Sequence, residues 1–414
     1  MDERDVIYDW NVLGRQISPA MGRVEIHDET IRDGLQSPSV LDPAIEAKLT
    51  LVRQLDQVGV YSCDLGLPGA GRRAFDDVKR LVELIRDEKL AILPAAAGRT
   101  IAADIVPIIE ITQQTGVPVE AMMFVGSSPI RMYAEGWEET RLEQLTRDAV
   151  RLAKEGGCPA SFVTEDTTRA SPRTLKRLFE AAIEEGATRL VLCDTVGHAT
   201  PNGVFNLIHW AHALLVGLGV REQVKLDWHG HNDRGHALPN ALCAIEAGAD
   251  RVHGTILGVG ERVGNTSIDQ LLVNLKLLGK YEADLSPLAD MVALVAEHCG
   301  VPVPYNYPVF GKDAFRTGTG VHAAAVIKAH KKGAHWLADR VYSGVPASWF
   351  GRAQEIEIGP MSGESNVRWW LESHGHAVDD GLVKTIFAEA KRSAAMLDEA
   401  ALRKIVAAYQ PPEA

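Results

Sequence analysis

The chain has 414 residues, 46% of them hydrophobic, and a formal net charge of −12. That is enough apolar material for a large α/β barrel with an appendage, and the acidic balance argues against a nucleic-acid partner. Five scattered cysteines without metal-type spacing, no apolar segment after Met1-Asp2-Glu3-Arg4-Asp5 and no run as long as a membrane span lead us to expect a cytoplasmic protein without membrane contact.

Residues 1–23 read as a polar N-terminal arm, with Tyr8 and Trp10 as anchors. From Val24 short apolar runs alternate with amphipathic helical stretches, the signature of βαβ units and a parallel sheet. The expected strands are Val24–His27, Tyr61–Gly66, Leu90–Ala95, Glu120–Val125, Ala160–Thr164, Arg189–Cys193, Val224–Trp228 and Arg251–Ile256. The helical stretches named between them are Ile45–Val58, Ala74–Asp87, Glu138–Glu155, Pro172–Glu185, Gly203–Leu218, Ala237–Ala247 and Ser267–Leu278. This rhythm predicts a (β/α)8 barrel over 24–285. An open doubly wound sheet would carry Gly-x-Gly-x-x-Gly after its first strand, and Asp28–Gly34 lacks it. Residues 286–414 read as a linker around Gly300–Pro308 and a mainly helical region. That region has helical Asp313–Lys332, turn-rich Tyr342–Ser365, and helices near Gly381–Met396 and Glu399–Tyr409.

Barrel chemistry sits at the C-terminal ends of strands. The seventh run ends in Asp227-Trp228-His229-Gly230-His231-Asn232-Asp233. Residues two apart on a strand share a face, so His229 and His231 present two imidazoles side by side. Asp33, past the first strand, is the candidate third ligand, with a capping carboxylate as its alternative. Asn265, past the eighth, can add a fourth oxygen. Such a set with open positions suits Zn, Mn, Co or Mg. Arg32, beside Asp33, can steady a developing oxyanion or form a salt bridge to Asp64 or Glu261. The glycine-rich Gly258–Asn265 loop is only a weak signal for phosphate binding, since tight turns at a barrel rim also need Gly.

Arg32-Asp33-Gly34-x-Gln36, His229-Gly230-His231-Asn232-Asp233 and Gly258-x-Gly260-Glu261-Arg262-x-Gly264-Asn265 together resemble the metal-dependent acyl-CoA Claisen-condensing and lyase family. It includes 2-isopropylmalate, homocitrate and citramalate synthases and hydroxymethylglutaryl-CoA lyase. Glu165-Asp166-x-x-Arg169, Asp194-Thr195-Val196-Gly197, Gly320-Val321-His322 and Met361-Ser362-Gly363-x-Ser365-Asn366 look like motifs of the synthases. Leu35, where synthases usually have Glu, is lyase-like.

The resemblance implies a divalent metal, acetyl-CoA as co-substrate and an α-keto acid that becomes a 2-alkylmalate-type acid. Asp33, His229, His231 and Asn265 would hold the metal. Arg32, Asp64, Glu261, His322 and Tyr342 would serve catalysis, with His322 and Tyr342 acting in acid/base chemistry. Gln36, Leu67, Arg99, Arg131, Arg169 and Thr195 would meet the substrates, Thr195 at the keto-acid carboxylate. A homodimer with exchanged C-terminal regions is also implied, because the family's histidine at the place of His322 comes from the partner. Asp64 stands where the family usually has Glu. Ala97 stands where homocitrate synthases have His, which weakens the case for 2-oxoglutarate. Arg131 either reads a second acidic group or pairs with Glu135. An isopropylmalate-type synthase is the first expectation. A specialised synthase taking an acidic or phosphonate-bearing keto acid comes second, and a hydroxyacyl-CoA lyase third. A non-catalytic paralogue is the last alternative.

Overall fold

The computed structural model describes residues 6–7 and 24–410, so the expected anchors Tyr8 and Trp10 lie outside the described residues. The chain divides into two compact units, one ending at Pro302 and one taking up the chain from Val303.

In the first unit eight parallel strands close into a barrel in chain order. They are β1 (Glu25–Asp28), β2 (Ser62–Asp64), β3 (Leu93–Arg99), β4 (Glu120–Gly126), β5 (Ala160–Glu165), β6 (Arg189–Asp194), β7 (Lys225–Gly230) and β8 (Arg251–Gly254). Between them run α1 (Ile45–Gln57), α2 (Arg72–Glu88), α3 (Ala102–Thr115), α4 (Pro129–Glu135), α5 (Glu139–Glu155), α6 (Pro172–Glu185), α7 (Pro201–Gly217) and α8 (Ala237–Ala247). The unit's last helices are α9 (Ile268–Leu277) and α10 (Leu288–Cys299). Strands covered on both faces read as continuous apolar runs, and Leu190, Val191 and Leu192 of β6 are buried accordingly. Closure pairs β1 with β8, His27 facing His253 and Asp28 facing Gly254. The first and seventh strands thus flank the eighth, which brings their ends together.

Several elements depart from expectation: β2 and β8 are shorter, α4 and α10 were not named from sequence, and two further departures have a clear physical cause. The third strand starts at Leu93, not Leu90. The amides of Ala91 and Ile92 instead donate to Asp56 Oδ1, at 2.7 and 2.8 Å, and Leu90 N bonds back to Ile85 O. Ala97 and Arg99 therefore lie on the strand. Helix α3 was not among the stretches named from sequence. Pro107 sits inside it and removes one backbone donor, yet buried Ile105, Ile108 and Ile111 hold it to the barrel.

The second unit has a short parallel pair, β9 (Arg316–Thr317) and β10 (Glu355–Ile356). Its helices are α11 (Gly320–Lys331), α12 (His335–Arg340), α13 (Glu364–Ser373), α14 (Asp380–Arg392) and α15 (Glu399–Ala408). Residues 313–319, expected to open a helix, hold turns and β9 instead, and α13 begins inside the stretch expected to be turns. The Met361–Asn366 motif works structurally. Met361 O accepts from Gly320 N at 3.0 Å, and Ser362 Oγ donates to Gly318 O at 2.7 Å. Among the described residues no helix is long and apolar enough to cross a membrane.

Candidate metal centre at the barrel mouth

Asp33 lies on the turn after β1, and His229 lies on β7 with His231 just past its end. Their burial is near complete. Asp33 Oδ2 stands 3.9 Å from His229 Nε2 and 4.0 Å from His231 Nε2. The three ligand atoms all lie within 4.8 Å of one another. Metal–ligand bonds of about 2.0–2.2 Å let two donors on one ion stand up to about 4.4 Å apart, and both carboxylate spacings meet that limit.

The rim loop supplies the fourth group. Gly258–Asn265 closes on itself through Asn265 N to Gly258 O, at 2.9 Å. Only glycine fits at 264, where φ is +89° and a Cβ would meet Gly258 O at 1.8 Å. The loop is thus a tight turn that delivers Asn265. Its Nδ2 donates to Asp33 Oδ1 at 2.9 Å and to Val259 O at 3.1 Å. Its Oδ1 is buried with no hydrogen-bond partner. A buried acceptor with nothing to accept is costly, and a cation beside Asp33 would satisfy it. On these observations the residues fit a divalent metal.

The protonation states of His231 and Asp33 agree. Burial, helped by the neighbouring His229, pushes His231 down to about 4, so it is neutral at pH 7. Burial alone would raise Asp33, but Arg32 and His229 outweigh it and hold the carboxyl below its usual range. Burial would likewise lower His229, but the Glu29 carboxylate outweighs it and raises the imidazole.

Arg32 is gripped by three carboxylates: Glu29 at 2.6 Å, Asp33 at 2.9 Å and Asp64 at 2.6 Å. Asp64, though a methylene shorter than Glu, does reach Arg32. Burial pushes its carboxyl up to about 6 against the pull of that guanidinium.

The mouth opens into a cavity of about 210 Å³ whose polar lining includes Arg32, Asp33, His229, His231, Thr195 and Glu261. Its apolar lining is Ala97, Met122, Phe124, Val163, Val191 and Cys193. Thr195 Oγ1 accepts from Asp166 N at 2.8 Å, which leaves its hydroxyl hydrogen for a ligand. Gln36 and Glu165 also line this cavity, whereas Leu67 lines a neighbouring hollow with Leu35 and Gln36. Three expected substrate cations are already paired and lie outside the cavity lining. Arg99 forks onto Asp104 at 2.7 and 2.9 Å. Arg169 forks onto Asp166 at 2.7 and 2.8 Å. Arg131 lies 3.2 Å from Glu135 and 3.7 Å from Glu165.

His322 and Tyr342 belong to the second unit. Their rings stack at 4.2 Å, and both are exposed, next to exposed Val321.

Sequence reasoning did not single out Glu29 or His253, which both line the cavity. The alternation that selected His229 and His231 also selects them. His27 and Glu29 are two apart at β1, Arg251 and His253 on β8, and Asp227 and His229 on β7.

A closed eight-stranded barrel with a His-x-His and a carboxylate at its mouth defines a class of metal-site barrels. The comparisons narrow that class. Residues 23–295 match the HMGL-like family model, and the chain belongs to the HMGL-like family. It is 30% identical over 386 residues to the 2-isopropylmalate synthase of Sulfurisphaera tokodaii, covering 92% of this chain and 94% of that one. It is 32% identical over 370 residues to the homocitrate synthase of Pyrococcus abyssi, covering 88% and 94%. Among solved structures, the HMG-CoA lyase of Bacillus subtilis superposes with a TM-score of 0.55 at 22% identity, over 68% of this chain and 95% of the other, a likeness of fold.

Proposed function

We infer that this chain is an acyltransferase that condenses acetyl-CoA with an α-keto acid bearing a small apolar side chain, in the manner of a 2-isopropylmalate synthase. The observation that carries the substrate choice is the cavity itself. Beyond the metal-facing groups most of its wall is apolar, Ala97, Met122, Phe124, Val163, Val191 and Cys193, and the polar groups beside them, Gln36 and Glu165, carry no positive charge. Arg32, its one lining cation, is engaged by Glu29, Asp33 and Asp64. A second carboxylate or phosphonate on the substrate would be desolvated there without a partner, which is costly. An isopropyl group would gain by burial.

A divalent ion held by Asp33, His229, His231 and Asn265 would polarise a keto oxygen as a Lewis acid. The chain's own groups supply the rest. The Thr195 hydroxyl donates to the keto-acid carboxylate. Arg32 presents fixed positive charge to the oxygen that becomes negative when the new carbon–carbon bond forms. Glu29 and Asp64 hold that guanidinium in place. His322 and Tyr342 act in acid/base chemistry from a second copy of the chain in a homodimer. The exposure of that pair beside Val321 supports this assignment.

The test is CoA release, followed with a thiol reagent, from acetyl-CoA and a keto-acid panel with Mn, Mg or Zn. Turnover is expected with 2-oxoisovalerate and not with 2-oxoglutarate or phosphonopyruvate. Preference for a diacid would overturn the substrate reading. Acetoacetate formed from hydroxymethylglutaryl-CoA, with no condensation, would make the chain a lyase.

A further inference from the structure

The two histidines of the metal centre are not built alike. His231 Nδ1 is buried and has no hydrogen-bond partner. His229 Nδ1 faces Glu29 Oε2 at 2.7 Å. Glu29 is 1% exposed, so this contact is shielded from water. Its other oxygen accepts from Arg32 Nη2 at 2.6 Å and lies 3.2 Å from His253 Nδ1. His253 Nε2 in turn lies 3.2 Å from Asp227 Oδ2, which also accepts from Arg251 Nε at 2.7 Å. A continuous buried chain therefore runs from the floor of the barrel to one metal-facing imidazole and stops there.

We propose that Glu29 is a positioning residue for the metal: it holds the proton on His229 Nδ1 and so fixes the lone pair on Nε2, toward Asp33. A ring nitrogen within 2.7 Å of an ionised carboxylate oxygen is a donor, and in a neutral imidazole the other nitrogen is then the acceptor. The Arg32 guanidinium, 2.6 Å from the other oxygen of Glu29, pairs with it as a carboxylate. A carboxylate behind a ligating histidine fixes its ring orientation and raises its basicity. His253, supported by Asp227, prevents Glu29 from swinging away. His229 is thus set for the metal in advance, whereas His231 must be oriented by the backbone of its bridge to Asn265. Glu29 does not touch the reacting atoms, and its effect passes through His229.

This inference rests on the metal reading of Asp33, His229 and His231, so the experiment separates the two. Full-length protein is stripped of metal, and Zn affinity is measured by competition with a chromophoric chelator. Glu29→Ala is expected to weaken binding by about 10–100-fold. Glu29→Gln, whose amide oxygen still accepts from Nδ1, is expected to weaken it less. Asp33→Ala and His231→Ala should remove stoichiometric binding. Nitrogen-15 spectra of histidine-labelled apo protein, taken where His229 is neutral, should show the Nδ1–H tautomer in the wild type. They should show a mixture in Glu29→Ala, a change that loss of packing alone would not produce. If Glu29→Ala misfolds, Glu29→Gln and the wild-type tautomer decide. Wild-type zinc affinity in both Glu29 variants, or an Nε2–H tautomer in the wild type, overturns the role of Glu29. Undiminished zinc binding in Asp33→Ala and His231→Ala overturns the metal reading beneath it.

Discussion

Two charged layers lie inside the same barrel, and they differ in how fully their charged and metal-facing groups are satisfied. At the floor Arg251, fully buried, binds Asp227 at 2.7 Å, Glu120 at 2.5 and 2.9 Å and Ser62 at 3.0 Å. Arg189 completes Asp227 at 2.9 Å and pairs with Glu25, and Ser161 Oγ donates to Glu120. Every charged group there has its partner. At the mouth Asn265 Oδ1 and His231 Nδ1 are buried with none. A closed network fixes structure, because each charge is neutralised within the fold. An open one keeps capacity for something the fold does not supply. Burial and charge are common to both layers, and His27 Nε2 is unmet beside the floor as well, so it is the convergence of an unmet acceptor with Asp33, His229 and His231 that marks the candidate binding layer.

The largest expected effect follows from that difference. Asp33→Ala or His229→Ala should abolish condensation while leaving the barrel folded. Circular dichroism and the thermal midpoint would check the second half. Retained turnover in either variant would remove the metal assignment. Unfolding in both would show that the mouth, too, is structural.

The floor should give the opposite pattern. Asp227→Ala leaves Arg251 and Arg189 without a shared carboxylate, and breaking a buried pair on one side costs about 3–5 kcal/mol. Urea denaturation should show that loss. Zinc affinity per folded molecule should fall only as far as Glu29 loosens. A stable Asp227→Ala chain would mean the floor is not the barrel's anchor.

A third expectation concerns pH. Asp28, which on β1 stands between the interior-facing His27 and Glu29, meets Thr30 and Cys63 instead; it is fully buried, and burial pushes its carboxyl up to about 7 from an ordinary value of 3.8. Between about pH 4 and pH 7 the folded chain keeps a proton that the unfolded chain has lost, so raising the pH through this window lowers stability. A difference of about three pKa units corresponds to about 4 kcal/mol. Stability measured at pH 4, 5.5, 7 and 8 should fall over that span. Asp28→Asn should flatten the fall. An unchanged profile would assign the dependence to other groups.

Much of this was legible before the structure. The βα rhythm predicts a closed barrel because alternating strands and helices of this length bury their faces in few ways. The candidate ligands Asp33, His229 and His231 follow from strand-end position and the two-residue period, and the structure brings them within reach of one another. What stayed hidden has physical reasons. The third strand is blurred because Ala95, Ala96 and Ala97 carry weak strand preference and Asp56 draws Ala91 and Ile92 out of the ladder. Helix α3 is masked by Pro107. Glu29 and His253 share the period that singled out His229, but their partners come from other strands, and pairing across the barrel is a property of closure. The three arginines show the same limit from the other side. Arg99 ends β3, Arg131 lies in α4 after β4 and Arg169 lies on the turn after β5, where a cation reads as a substrate contact, yet each is taken by a nearby carboxylate.

That last point gives the smallest effect and the sharpest use of the comparison. Arg99 is at the mouth by position but like the floor by bonding, since its fork is closed on Asp104. It is also well exposed, so water can replace it at the outer face. If satisfaction rather than location decides function, Arg99→Ala should leave the keto-acid KM within about twofold of wild type, as loss of an exposed ion pair usually does. Thr195→Val, which removes the one hydroxyl proton left for a ligand, should raise that KM by about tenfold, the order of a lost hydrogen bond to a charged group. Steady-state kinetics on the two variants decide between the readings. A larger rise for Arg99→Ala than for Thr195→Val would mean that Arg99 leaves Asp104 to meet the substrate. In that case a paired cation at the rim cannot be classed with the floor.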